Sequence, residues 1–367
     1  MSRLTYPFKD HPTPGTTREV APGVRWLTMP MGGGLNHINL YLLEDERGWV
    51  VVDTGLQTEE TNKWWQKIFA TELNGKPVVA VVCTHFHPDH IGQALAITEQ
   101  FECPFYMTRS EYFQARTFAN SGPSSHMSRM STEFYTRAGM DLSALEAMQE
   151  GWNAKNRTVF RMPELPSGYR RLRDGDQAKF GGRYWRVVVG DGHSPEHACL
   201  YCESLNLMIS GDQILPIITS NVSVHPTEPE ANPLNDWLQS HERLAWIPDE
   251  TFILPAHNLP FYGVSERLHE LIDHHEERML AVEEYCTEKR TSVELLPIMF
   301  KRKLDGRQIM MALGEAIAHL HLLMHRKRIR RILDDDGVYR YLAVDPNLQD
   351  RAHPAHHEPL LSGPIEV

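Results

Sequence analysis

Residues Thr84 to His90 read T-H-F-H-P-D-H, which puts three imidazoles and one carboxylate within positions 85 to 90. They directly follow a short apolar run, VVAVVC, with the length and composition of a buried strand. A polar loop leaving the C-terminal end of such a strand can turn these side chains back onto one point. Imidazole nitrogen with carboxylate oxygen is the donor set that suits zinc or another first-row divalent ion. A single histidine is ordinarily a surface residue or a hydrogen-bonded core residue; four candidate ligands at this spacing point to a metal instead. The chain holds twenty histidines among 367 residues, so where the others fall matters.

The elements that must carry this loop follow from periodicity. Between Val24 and Val52, the segments VRWLTMP, INLYLLE and GWVVVDTG read as strands separated by Gly-rich or charged turns. Glu59 to Leu73 has apolar residues three and four apart and reads as a helix, and PVVAVVCTH follows as a strand buried on both faces. Strand, helix, strand and polar loop make an α/β pattern. From Met107 to Pro166 the strand signals stop, and SEYFQARTFAN and TEFYTRAGMDLSALEAMQEGW are predicted to be helical, an insertion rich in Phe, Tyr, Met and Trp. Strand signals return at RYWRVVVGD, ACLYCESLNLMISGD and ETFILPAHN, each delivering polar residues at its end. Ser265 to Glu288 is a charged amphipathic helix with Leu268, Leu271, Ile272, Met279 and Val282 near one stripe. A helix over Ser292 to Phe300, another from Gly306 to about His325, and a hairpin turning at Asp336-Gly337 form a C-terminal unit.

A formal net charge of −11, from 37 Lys+Arg and 48 Asp+Glu, argues against a dedicated nucleic-acid binder. The five cysteines, Cys83, Cys103, Cys199, Cys202 and Cys286, fit reduced intracellular thiols better than a disulfide framework. Cys199 and Cys202 point to opposite faces of a strand and are expected as core thiols. The N-terminus has no apolar signal segment and no run approaches 18 uninterrupted apolar residues, so the expectation is a cytoplasmic chain with no membrane partner.

The T-H-F-H-P-D-H string resembles the HxHxDH signature of the metallo-β-lactamase-fold hydrolases. The other landmarks of that family stand in order: DTG at Asp53 to Gly55, GHSPEH at Gly192 to His197, SGD at Ser210 to Asp212 and PAH at Pro255 to His257. The resemblance covers roughly residues 20 to 262 and implies an α/β fold, an αββα sandwich carrying the helical insertion and a C-terminal winged-helix unit. By the same resemblance His85, His87 and His193 hold one metal ion, Asp89, His90 and His257 hold a second, and Asp212 bridges both. Two divalent ions are therefore expected, zinc first, with Fe or Mn also compatible with these ligands. Water shared by the two ions would be acidified to a hydroxide nucleophile, with Asp89 and Asp212 as the catalytic carboxylates. Asp53 is then either the partner of a ligand histidine or a plain turn residue, and His197 is structural or an orienting group. His269, His274, His275, His319, His321 and His325 are read as surface or interface residues. The expected division is 1–264 for the metal hydrolase domain, with its insertion at about 107–166, 265–345 for the C-terminal domain, and 346–367 for a loose tail.

Departures from subgroup patterns narrow the chemistry. Position 87 is His, not the Glu of the flavodiiron relatives; His257 is followed by Asn258-Leu259, not the Glu-Tyr of glyoxalase II; Asp212 is followed by Gln213-Ile214-Leu215, without the Tyr of acyl-homoserine lactonases. The C-terminal unit resembles the winged-helix extension of a branch that includes mammalian β-lactamase-like protein 2. Its RKRIRR segment, Arg326 to Arg331, is a basic cluster, yet Thr291 to Asp345 holds ten basic against seven acidic residues, so a structural, dimerising or site-walling role is favoured over nucleic-acid binding. Phe113, Phe118, Met127, Met130, Phe134, Tyr135, Met140 and Trp152 supply a lid suited to an apolar acyl group. The leading expectation is an esterase or thioesterase-like hydrolase of a small apolar or acyl-thiol substrate. The competing expectation is a metal-dependent endoribonuclease that holds RNA on the winged helix. The stripe on 265–288 and the face formed by Ile309, Leu313, Ile317 and Leu320 are read as a homodimer surface.

Overall fold

The computed structural model describes residues 4–32, 35–120, 125–147, 162–304 and 306–345. A first sheet of seven strands takes them in sequence order: β1 (Arg18–Ala21), β2 (Val24–Pro30), β3 (His37–Asp45), β4 (Gly48–Val52), β5 (Val78–Val82), β6 (Phe105–Met107) and β7 (Arg170–Arg171). Strands β1 to β4 form an antiparallel meander, and β4 to β7 run parallel. A second sheet of five strands has the order β12 (Phe252–Pro255), β11 (Leu207–Gly211), β10 (His197–Cys202), β9 (Arg183–Gly190), β8 (Gln177–Phe180).

Three buried clusters show how these sheets are layered. Val24, Trp26, Val50 and Val52 of the first sheet meet Trp185, Val187, Ala198 and Leu254 of the second between the sheets. The outer face of the first sheet, with Leu40, Trp49 and Val51, is covered by Trp65 and Ile68 of α1 (Glu59–Thr71), Ile91 of α2 (Pro88–Ile91) and Ile97 of α3 (Ala94–Phe101). The outer face of the second, with Val188, Cys199 and Met208, is covered by Trp237 of α6 (Pro233–Leu244), Leu268 of α7 (Val264–Tyr285) and Leu313 of α9 (Gly306–His325). This is an αββα sandwich. It explains why GWVVV is apolar without alternation: each face of β4 meets a different core. Cys199 and Cys202 likewise enter different cores, and both are free thiols.

The helical insertion leaves β6 and returns at β7, which pair in parallel at Tyr106↔Arg170. Its described part holds α4 (Arg109–Asn120) and α5 (Ser125–Arg137). The helix expected to run on through 139 instead stops, because Gly139 takes φ +98°. Trp152 and the side chain of Met127 lie outside the described residues, as does the expected tail at 346–367. The lid reading needs correction for Phe134, Tyr135 and Met140. Phe113 is 56% exposed, while Met140, Phe134 and Tyr135 join the core shared with the C-terminal helices.

That C-terminal unit comprises a turn at 293–295, the short helix α8 (Leu296–Met299), α9, and the hairpin β13 (Ile329–Leu333) with β14 (Tyr339–Ala343), against which Arg290 forms an extra bridge to Tyr341. Leu313, Ile317, Leu320, Leu268, Leu271, Met279 and Val282 are all buried in this one chain. Of the faces read as a dimer surface these residues are covered internally, and Ile272 and Ile309 pack partly buried against the same core. His275, His319 and His321 are also buried, against the surface reading. Among the described residues no helix is long and apolar enough to cross a membrane.

One buried amide fastens the two sheets at the end where the polar loops emerge. Asn39 on β3 accepts from Trp26 Nε1 (2.9 Å) and donates to the carbonyls of Pro255 (2.9 Å) and Asn258 (2.6 Å), on either side of His257. Tyr41 OH donates to the same Pro255 carbonyl. Replacing Asn39 by Leu strands these groups without water. Asn39→Leu is expected to lower unfolding stability by about 2–4 kcal/mol, since each buried unsatisfied group costs about 1–3 kcal/mol; urea denaturation measures this, and a loss below about 0.5 kcal/mol would contradict the joint.

Candidate metal centre

Every candidate ligand leaves the sandwich at one edge. His85, His87, Asp89 and His90 follow β5, His193 lies in the turn between β9 and β10, Asp212 follows β11 and His257 follows β12. Backbone bonds draw these loops together: Ala198 N–H to the Thr84 carbonyl (2.8 Å), Ala256 N–H to Gly211 (2.9 Å) and Asp53 N–H to Val82 (2.9 Å). Gly211 takes φ +51°, and a Cβ there would stand 2.5 Å from His197 Nε2. Only glycine lets the chain turn Asp212 inward at this point.

All seven expected residues converge, in two groups. In the first, His85 Nε2 lies 2.9 Å from His87 Nδ1 and 3.3 Å from His193 Nε2, and Asp212 Oδ2 lies 3.4 Å from His193 Nε2. In the second, Asp89 Oδ2 is 3.6 Å from both His90 Nε2 and His257 Nε2. The other oxygen of Asp212, Oδ1, faces this group at 3.6 Å from His90 and 3.4 Å from His257. One carboxylate therefore lies between the groups, presenting one oxygen to each.

The far nitrogens of these rings are held. His90 Nδ1 lies 2.8 Å from Asp53 Oδ2, His193 Nδ1 donates to the Asn221 carbonyl (2.8 Å) and His257 Nδ1 to the His37 carbonyl (3.2 Å). The Thr84 hydroxyl, hydrogen-bonded to Asp53, lies 3.1 Å from His85 Nδ1. With Nδ1 held, each of these rings turns its Nε2 inward, where it would give a lone pair to a cation in place of a proton. His197 does the reverse. Its Nε2 accepts the Asp212 N–H (3.0 Å), so it orients the central carboxylate from behind and is in neither group.

Burial, together with neighbouring imidazoles, pushes His85 far below its usual pKa and His87 down to about 3. For His257, burial acts in the same direction, but Asp212 and Asp89 outweigh it and raise the ring to about 10. Burial alone would raise Asp89 as well; the His90 and His257 cations bring it down to about 2. His90 Nε2 and Asp212 Oδ1 are buried and have no hydrogen-bond partner. Groups so dehydrated and unpaired are costly unless something of opposite charge or vacant orbital meets them. The nitrogen and oxygen set, its spacing and these unpartnered atoms fit a pair of divalent cations.

Glu111 was missed by the sequence reading. It is fully buried on α4, where its Oε2 accepts the Phe86 N–H (2.9 Å) and its Oε1 accepts Ser194 Oγ–H (2.6 Å) and Glu196 N–H (2.7 Å). One carboxylate thus ties the His85–His87 loop to the His193 turn. Burial pushes it up to about 7 against the pull of these donors. Nothing in the periodicity of SEYFQARTFAN marks this Glu, since helices of the surface are full of them.

Comparison with known proteins agrees with this geometry. Residues 33–257 match the family model of the metallo-beta-lactamase superfamily, and 279–344 match that of the metallo-beta-lactamase-like C-terminal domain. The chain belongs to the metallo-beta-lactamase superfamily. A probable metallo-hydrolase, YqjP of Bacillus subtilis, is 21% identical over 85% of this chain and 96% of its own. A beta-lactamase domain protein from Burkholderia ambifaria is 42% identical with a TM-score of 0.85, covering 93% of this chain and 98% of its own. A metallo-beta-lactamase family protein from Thermus thermophilus is 26% identical with a TM-score of 0.73, over 89% of this chain and 100% of its own. The chain is a superfamily metallo-hydrolase with a His/Asp cluster capable of holding metal.

Asp53 resolves into a residue that is both turn and partner: it takes φ +60° and bonds His90. Asn tolerates that backbone conformation, but in Asp53→Asn the side-chain oxygen can keep the Thr84 N–H while its NH2 faces His90 Nδ1. The imidazole would then carry its proton on Nε2, the wrong side. Metal affinity is expected to fall about 10–100-fold in a chelator competition; an unchanged affinity would leave Asp53 as a turn residue only.

Proposed function

We propose that this protein is a dinuclear metal-dependent hydrolase that opens an ester or thioester-like bond in a small apolar or acyl-thiol substrate. The observation that carries the reading is the position of Asp212, one oxygen toward each ligand group. Two cations held there, zinc first among the divalent ions that imidazole and carboxylate donors suit, would supply an activated water and a charge to receive the developing oxyanion. The chain's own part is to hold and aim. Asp53, Asn221 and His37 fix the imidazoles, His197 fixes Asp212, and Asp89 with Asp212 balance charge and stand ready to take a proton from the attacking water. No side-chain nucleophile is needed, and the thiols do not offer one: Cys83, Cys199, Cys202 and Cys286 are buried, and burial raises Cys103 to about 11.

The apolar preference rests on what stands beside the ligand loop. The Phe86 ring lies 4.8 Å from that of His87 and 5.7 Å from that of Phe118, so the ligand loop carries an aromatic ring beside the centre and α4 backs it with a second. Ile217, in the loop after Asp212, is 66% exposed. The winged-helix reading of the C-terminal unit follows its helix and hairpin order, and its role as a wall is favoured by its charges. In RKRIRR, Arg326 pairs with Glu276, Arg328 with Glu283 and Arg331 with Glu230. These cations are engaged within the protein, which weighs against an RNA platform.

The test is a panel of acyl-CoA, acyl-glutathione, lactone and oligoribonucleotide substrates with zinc- or manganese-loaded protein. Acyl thioester or ester turnover is expected. Phe118→Ala should raise KM for long acyl chains by about tenfold, as expected from losing roughly 1.5 kcal/mol of apolar burial, and leave acetyl substrates nearly unchanged. Cleavage of RNA alone, sensitive to charge reversal at Lys327 and Arg330, would overturn the acyl reading in favour of a nuclease.

A further inference from the structure

The carbonyl that orients His193 belongs to Asn221, in the segment linking β11 to α6, and that segment is fastened to the C-terminal unit. Asn221 Nδ2 donates to Glu315 Oε2 on α9 (3.2 Å), and Asn221 Oδ1 accepts from Ser223 Oγ (2.7 Å). Ser223 Oγ also lies 3.2 Å from the Met311 carbonyl, and Val224 N–H donates to the Gly314 carbonyl (3.1 Å). The segment lies directly on the helix: a Cβ at Gly314 would come within 2.8 Å of Ser223 Cβ and 2.9 Å of the Val224 oxygen. Glu315 is itself buried, with its other oxygen 3.5 Å from Arg278 NH1 on α7. Its backbone carbonyl accepts from His319 Nδ1 (2.7 Å), whose Nε2 accepts from His275 Nδ1 (3.1 Å). The buried histidines thus brace the helix that presents this carboxylate.

We infer that Glu315 is a positioning residue of the metal centre, acting through the Asn221 amide to hold the carbonyl that aims His193, so that the C-terminal unit completes the first ligand group. The inference rests on the reading that His193 is a ligand. A main-chain carbonyl in a loop aims a ring only if its own residue is immobile. Here both polar atoms of the Asn221 side chain are held, one of them by α9. Asp89, His90 and His257 are not aimed by that segment: the far nitrogens of these imidazoles go to Asp53 and the His37 carbonyl, and the segment's hold on the shared Asp212, through Ser220 Oγ to the Asp212 carbonyl, does not pass through Glu315. Loss of Glu315 should therefore weaken one group and spare the other.

The probe is cobalt(II), followed by its visible absorption and by the number of ions retained in a chelator competition. Wild type should keep two ions. Glu315→Ala and Asn221→Ala should each hold one of them about 10–100-fold more weakly, with a changed spectrum for that ion. Glu315→Gln, whose amide oxygen can still accept from Asn221, should restore both. Thermal unfolding of the metal-free variants separates this from a general loss of fold, and Asn221→Ala, which keeps the backbone carbonyl and the Arg278–Glu315 pair, serves if Glu315→Ala does not fold. Two ions held as tightly as in wild type by the Ala variants, or a Gln variant as impaired as Ala, would overturn the inference while leaving the metal reading intact. A wild-type chain that takes up no cobalt would overturn both.

Discussion

The Asp212 carboxylate, buried among four imidazoles, is the constraint around which the rest is arranged. Its two oxygens face different ligand groups, so its orientation has to be fixed independently of either group. The protein does this from behind. Gly211 turns the chain, the His197 ring accepts the Asp212 N–H, and the space a Cβ would fill at 211 is taken by that ring. Glycine and histidine therefore fit as a pair, and a change at either displaces the carboxylate.

Holding so many ionisable groups without water requires a rigid mount, and the sandwich supplies it. The ligand loops all leave one edge, where neighbouring strand ends are cross-linked by backbone bonds and by Asn39. Glu111 adds a tie from the insertion, joining the loops of His87 and His193. The ligand histidines are thus supported by groups drawn from both sheets and from helices outside them.

Much of this was legible in the sequence, and the rest was hidden for identifiable reasons. The strands 24–30, 38–44 and 48–52 and the helices at 59 and 306 declared themselves because their apolar periods are long and clean. His85 to His90 were legible because histidine and aspartate rarely cluster without cause, whereas His193, Asp212 and His257 stand alone in the sequence and only the family resemblance marks them. Helix α6 was overlooked although its pattern was present: Leu234, Trp237, Leu238 and Leu244 share one helical face and Pro233 stands at its first turn. Asn39, Glu111, Asn221 and Glu315 were invisible because a buried polar residue differs from a surface one only in its tertiary partners. The buried His275 and His319 were misread for the same reason, since polar neighbours on a helix do not reveal that the facing surface is another helix. The apolar faces of α7 and α9 resemble a subunit surface in the sequence, which does not show that two such faces cover each other and the second sheet.

The ligands are scattered along the chain from His85 to His257, and this has a consequence for biosynthesis. When the ribosome has delivered only the first sheet's early strands, His85, His87, Asp89 and His90 are present without the second sheet's residues that complete either group. A cation meeting that fragment finds a loose partial chelate, and full affinity arises only after β12 has docked beside β11. Because binding energy would appear only in the assembled state, an ion taken up there would act as a late-arriving lock: it would favour the docked last strands and slow the opening of a finished molecule, without committing an unfinished one.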